Sequence, residues 1–216
     1  MFCSDNYINH GELPSRIFVA VTIKKPATRG RPRRFDPEAG LAQAQALFHA
    51  RGYDGVTVAD LTDAMGINPP SFYAAFGSKA ALFERALGRY AATDALPLAT
   101  ILQEDRPAAE ALAALLAEAA RRYTDDPAAP GCMVLEGARC GDDEARAAAV
   151  RLGSATFAAV RHFLARRHPG EAARLADYVA AIMAGMSAAA RAGWSRDRLL
   201  AVAELAGGAL RAALPA

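Results

Sequence analysis

The feature that most constrains this chain lies between Thr57 and Phe76, where two short helical stretches are joined by one glycine. Thr57 opens a capping box with Asp60, whose carboxylate can reach back to the Thr57 amide, and the helix it starts runs to about Met65. Gly66 breaks that helix and Ile67 plugs the turn. Asn68 then caps the next start, and Pro69 takes the first position of a second helix ending near Phe76. Two short helices about a glycine turn form a helix-turn-helix pattern. A longer helix precedes the pair, with Asp36 as N-cap, Pro37 at its first position, and Gly52 as the stop after Arg51. Its apolar positions Leu41, Ala44, Leu47 and Phe48 recur at helical spacing. Gly77 and Ser78 form the next stop and cap, and Lys79 opens a fourth helix to about Asp94. Residues 35–95 therefore read as one compact helix-turn-helix unit.

The rest of the chain continues in the same idiom. A quarter of all residues are alanine, the strongest helix former, while β-branched and aromatic residues are sparse, so an all-α fold is expected. Helices are expected over Pro107–Tyr123, Cys132–Cys140, Asp143–Arg167, Glu171–Ala192 and Arg196–Ala213, making 96–216 a second helical domain. With 216 residues, 53% hydrophobic and 22% charged, the chain can bury a core without staples. Cys3, Cys132 and Cys140 lack metal-binding or redox spacing and suit a reducing cytoplasm. No apolar run approaches the ~18 residues of a membrane span. The apolar stretch from Ile17 to Ile23 has its lysines after it, the wrong order for a signal peptide. Residues 1–34 show no helical period and become purely basic from Arg16 to Arg34, which reads as a flexible basic arm.

Several motifs in the first unit go beyond a generic helix pair. The stretch Val58-Ala59-Asp60-Leu61 through Met65-Gly66-Ile67, then Ser71-Phe72-Tyr73-Ala74-Ala75-Phe76-Gly77-Ser78-Lys79 and Leu82-Phe83, resembles the amino-terminal domain of TetR/AcrR-type bacterial transcriptional repressors. The resemblance is strong over about residues 36–90. Beyond that, Gly131-Cys132-Met133-Val134 and the closing Gly185, Ala192-Gly193-Trp194 and Leu199 echo one branch of the family. The resemblance implies a three-helix DNA-binding domain followed by a helical ligand-binding and dimerisation domain. It implies double-stranded operator DNA as one partner, a second copy paired through the last two helices as another, and a small-molecule effector. It implies neither an enzyme nor a cofactor.

Physically, such a protein needs a helix that enters the ~12 Å major groove with polar groups at its amino-terminal end. Asn68 to Ala75 is that helix. Asn68 and Ser71 supply its short polar groups, and Pro69 and Pro70 stiffen its start and can touch thymine methyls. Asn68 has a second reading as a pure N-cap. By resemblance, Tyr73 reaches a backbone phosphate and Lys79 holds another. Thr57 opens a helix whose free amides also suit a phosphate. Residues 35–95 carry four basic side chains against seven acidic ones, a net charge of −3. An acidic DNA reader needs help, and Arg31, Arg33 and Arg34, with Arg29, Lys24 and Lys25 behind them, stand where an arm can follow phosphates or enter the minor groove.

In the second domain the charges balance, fourteen against fourteen, so no further nucleic-acid surface is indicated. Ala180, Ala181, Ala184, Gly185, Ala188, Gly207 and Gly208 allow close helix approach between copies, with Ile182, Met183, Leu199, Leu205 and Leu210 supplying buried area. Tyr123, Met133, Phe157, Tyr178, Met183 and Trp194 are candidate ligand-pocket residues, being large among alanines. His10, His49, His162 and His168 have no metal-ligand spacing. Buried structural roles are expected for Cys132 and Cys140. The rival reading is a helical small-molecule-binding protein or enzyme with a vestigial helix-turn-helix, and it lacks a nucleophile–base pair.

Overall fold

The computed structural model describes residues 35–94 and 96–214, so the arm and its arginines lie outside the described residues. Ten helices are described, with no strand among these residues: α1 Pro37–Arg51, α2 Val58–Met65, α3 Pro69–Phe76, α4 Lys79–Thr93, α5 Leu98–Ile101, α6 Ala108–Arg122, α7 Met133–Gly137, α8 Asp143–Ala165, α9 Ala172–Arg191 and α10 Arg196–Ala213.

The punctuation follows the sequence. Asp36, Thr57, Asn68, Ser78 and Ser195 each cap a helix with the side chain, and Thr57 with Asp60 completes the capping box. Gly66 adopts the left-handed conformation, φ 65°, that ends α2 so that α3 can start two residues later. Three elements differ from expectation. The four-residue α5 has no side-chain cap to announce it, and the helix expected over Cys132–Cys140 shrinks to Met133–Gly137. The helix expected to reach Arg167 ends at Ala165.

Two hydrophobic cores form. In the first, Leu41, Phe48, Leu61, Phe72, Phe76, Leu82, Phe83 and Leu87 of α1–α4 pack together, each 6% exposed or less. This core is completed from further along the chain, by Met133 of α7, Cys140, and Ala145, Ala148 and Ala149 of α8. The second core joins α5, α6, α9, α10 and the end of α8, with Leu112, Leu115 and Leu116 fully buried on α6. Burying each such leucine stabilises by about 1.5–3 kcal/mol. Helix α8 thus serves both cores, with Val160, Phe163 and Leu164 in the second.

The second core corrects part of the expected pairing surface. Met183, Leu199 and Leu210 are buried in their own chain, because they fall on the faces of α9 and α10 that meet α6. A Cβ on Gly207 would lie 3.1 Å from the Ala113 Cβ, so this glycine lets α10 approach α6 rather than a second copy. Leu205, by contrast, is 78% exposed. No helix among the described residues is long and apolar enough to cross a membrane.

Candidate nucleic-acid interface and effector cavity

Helix α3 buries Phe72 and Phe76 in the first core and turns Asn68, Pro69, Pro70, Ser71, Tyr73 and Ala74 to solvent. Asn68 Oδ1 accepts the Ser71 amide at 2.9 Å, so the oxygen is committed to the cap while the Nδ2 donors have no partner among the described residues. Cap and base contact are therefore compatible in one side chain. Tyr73 is 51% exposed, its ring set edge-on to Phe72 at 5.3 Å, which leaves the hydroxyl end outward. None of residues 65–78 is charged.

At the start of α2, Thr57 Oγ1 donates to Asp60 Oδ2 at 2.6 Å, and the same carboxylate oxygen accepts the Thr57 amide at 2.7 Å. Arg51 adds an ion pair at 3.1 Å. Hydrogen bonds from the Thr57 hydroxyl and amide, then from Arg51, hold the Asp60 carboxyl down to about 2. The Thr57 hydroxyl is spent locally, and an internal carboxylate already occupies this helix N-terminus.

Lys79 has a role that sequence reasoning missed. Its Nζ donates to the carbonyls of Tyr53 at 3.0 Å and Val56 at 2.8 Å, and sits 3.9 Å from the Tyr53 ring centroid. Two of three ammonium donors thus fix the loop between α1 and α2, leaving one for a phosphate. Tyr53 in turn donates its hydroxyl to Asp142 at 2.9 Å, tying this loop to the start of α8. Lys79→Met is expected to lower stability by about 1–3 kcal/mol through two lost charged hydrogen bonds and a cation–π contact. A thermal melt checks this, and an unchanged Tm would leave Lys79 with phosphate contact alone.

Behind this unit lies a cavity of about 260 Å³ lined by Tyr90, Tyr123, Cys132, Leu135, Phe157, Met183 and others. Of the expected ligand residues, Tyr123, Phe157 and Met183 come together here. Met133 does not, since α7 turns it into the first core, where it is 1% exposed. Tyr178 lines a separate shallow cleft with Arg174 and Leu210. Trp194 follows Gly193 into the α9–α10 turn, 36% exposed, with the Arg198 guanidinium 3.7 Å from its ring centroid. Tyr90 and Leu135 are among the wall residues the sequence did not single out, and Cys132, expected only as a buried structural cysteine, joins them. Burial pushes both the Cys132 and Cys140 thiols up, so they stay protonated near neutral pH.

Comparison with known proteins bears on the helix-turn-helix unit and on the chain as a whole. Residues 41–86, spanning α1 to the middle of α4, match the family described as bacterial regulatory proteins, tetR family. The chain is 49% identical over 194 residues to the HTH-type transcriptional repressor BdcR of Escherichia coli K12, covering 90% of this chain and 98% of that protein. It is 32% identical over 192 residues to the repressor ComR of the same organism, covering 84% and 90%. Among solved structures, a cysteine-substituted form of the TetR family regulator CifR, complexed with 26-bp double-strand operator DNA, aligns with a TM-score of 0.74. It shares 36% identity over 83% of this chain and 99% of that one.

Proposed function

The chain belongs to the TetR family of bacterial regulatory proteins, and on that premise we infer that it represses transcription by reading an operator through α3 and leaving it when a small molecule binds. The observation that carries the reading is the exposed, uncharged face of α3, where Asn68 keeps its amide donors free while its oxygen caps the helix. Such a face suits base edges, since phosphate holding is a task for charges placed elsewhere. Residues 35–95 read the DNA and residues 96–216 sense and pair, with the protein working in the cytoplasm as a homodimer. Tyr73, Ser71, Pro69 and Pro70 flank Asn68 on the DNA face, and the third donor of Lys79 holds a phosphate. The start of α2 at Thr57 takes a second phosphate through its amides, weakened by the Asp60 carboxylate.

Because the described head is net acidic and Arg51 and Arg85 are paired with Asp60 and Glu38, the positive charge comes from Arg31, Arg33 and Arg34. Pairing with a second copy is supported by a small-residue face on α9 and α10. Gly185 on α9 and Gly208 on α10 have open space where a Cβ would stand, and Leu205 of α10 is exposed.

The test compares the DNA upstream of the protein's own gene with random DNA across a salt series. Asn68→Ser keeps a capping oxygen and removes the amide donors, so operator affinity should fall by about 1–3 kcal/mol while random-DNA affinity holds. Deleting residues 1–34 should flatten the salt slope on both DNAs, by ~0.9 per lost phosphate contact. Parallel losses on both DNAs for Asn68→Ser would remove base readout from Asn68.

A further inference from the structure

We propose that the cavity between α4, α6, α7, α8 and α9 takes a small uncharged organic molecule carrying one hydrogen-bond-accepting oxygen, a ketone or ester, held by the Tyr123 hydroxyl. This inference rests on the reading of the cavity as the effector site, and it names the chemistry of the effector. The volume of about 260 Å³ accommodates on the order of ten non-hydrogen atoms at interior packing density. Leu135, Phe157 and Met183 make most of its wall apolar.

The charged groups at the rim are already engaged. Asp94 accepts hydrogen bonds from Gln45 at 2.7 Å and from the Thr93 hydroxyl. Arg122 donates to Glu118 at 2.9 Å and to the Asp94 carbonyl at 3.0 Å. An anionic ligand would thus lose its hydration beside the Asp94 carboxylate, with Arg122 already bonded to Glu118, a costly exchange in an apolar site. The neutral groups divide differently. Tyr90 shares the wall with Cys132, and its hydroxyl is not among the buried oxygens without a hydrogen-bond partner. Tyr123 Oη is buried with no hydrogen-bond partner among the described residues. A buried hydroxyl left unpaired is unfavourable, and a neutral acceptor oxygen relieves it.

Burial pushes the Tyr123 phenol well above its ordinary value, so it stays a donor at every physiological pH. Its hydroxyl is closed off by the wall, so the ligand oxygen reaches it by displacing wall atoms, and the unbranched Met183 is the side chain best able to move.

The experiment uses the full chain and three probes of matched shape: acetophenone, ethylbenzene and benzoate, titrated calorimetrically in the absence of DNA. Acetophenone should bind about 5- to 10-fold more tightly than ethylbenzene, the worth of one neutral hydrogen bond. Tyr123→Phe removes an unsatisfied group, so the variant folds, and it should erase that preference while leaving ethylbenzene affinity unchanged. Gly153 lines the cavity, and a Cβ there meets Val134 at an ordinary 3.5 Å. Gly153→Leu should therefore fill the space and abolish binding of both probes. Equal affinity for acetophenone and ethylbenzene, tightest binding of benzoate, a preference that survives in Tyr123→Phe, or no binding below ~1 mM would each overturn the proposal. Release of operator DNA is measured separately. A Tyr123-dependent ketone preference without DNA release would support the ligand class and overturn the effector reading.

Discussion

Replacing Phe83 with alanine is expected to cost about 3–5 kcal/mol of stability and to weaken operator binding at temperatures where the unaltered protein still holds DNA. Phe83 is 1% exposed and lies on α4. Its ring stands edge-on to Phe48 of α1 at 5.0 Å and to Tyr53 of the α1–α2 loop at 5.0 Å. On the far side, a Cβ on Gly137 of α7 would lie 2.7 Å from the Phe83 ring, so the helix backbone rests directly against it. One side chain therefore joins α1, α4 and α7, and no neighbour can collapse into its place without moving a helix. Phe83→Leu keeps most of the volume and should cost less than half as much. Urea midpoints with an unchanged slope measure both values. A loss below about 1 kcal/mol for Phe83→Ala would mean that α7 does not brace the head.

That bracing is hard to read in the sequence, whereas the capped starts of α1 to α4 are plain in it. Asp36, Thr57, Asn68 and Ser78 announce themselves because a cap is a local hydrogen bond between residues two or three apart. What Met133 or Ala148 packs against is a question about residues far apart in the chain, and periodicity answers only whether a position is buried. The alanine content makes this worse, because nearly every helix face looks apolar. Leu205 and Leu210 stand five residues apart on α10, yet one is 78% exposed and the other fully buried. Lys79 shows the same limit at the candidate site. By resemblance Lys79 holds a phosphate, and only the folded loop brings the Tyr53 and Val56 carbonyls to its ammonium. The cavity was half legible: Tyr123, Phe157 and Met183 stood out by size. Tyr90 is read just as well as a core residue of α4, and its place in the wall depends on how α4 packs against α7 and α8.

The other large effect is expected at Gly131, where a valine should cost about 3–5 kcal/mol. Its φ of +81° already excludes a β-branched residue. A Cβ would also lie 2.9 Å from the Ser187 carbonyl oxygen and 3.0 Å from the Arg191 Cγ, so either the loop or α9 must shift. The cost would not stay local. The Gly131 amide donates to the Tyr123 carbonyl at 2.8 Å, and its own carbonyl accepts from His49 Nε2 at 3.1 Å. Arg191 donates to the carbonyls of both His49 and Pro130 at 3.0 Å, and the Cys132 amide donates to Ser187 at 2.9 Å. Residues 130–132 thus strap the end of α1 to α6 and α9, and two of the bonded residues, Tyr123 and Cys132, line the cavity. Gly170, which has open space around it and an ordinary φ, is the control, and Gly170→Val should change stability by no more than about 0.5 kcal/mol. Thermal unfolding of both variants side by side measures the difference. If Gly131→Val were as mild as Gly170→Val, the strap would be an incidental loop. It could not then carry a change in the cavity to the helix that precedes the DNA-reading pair.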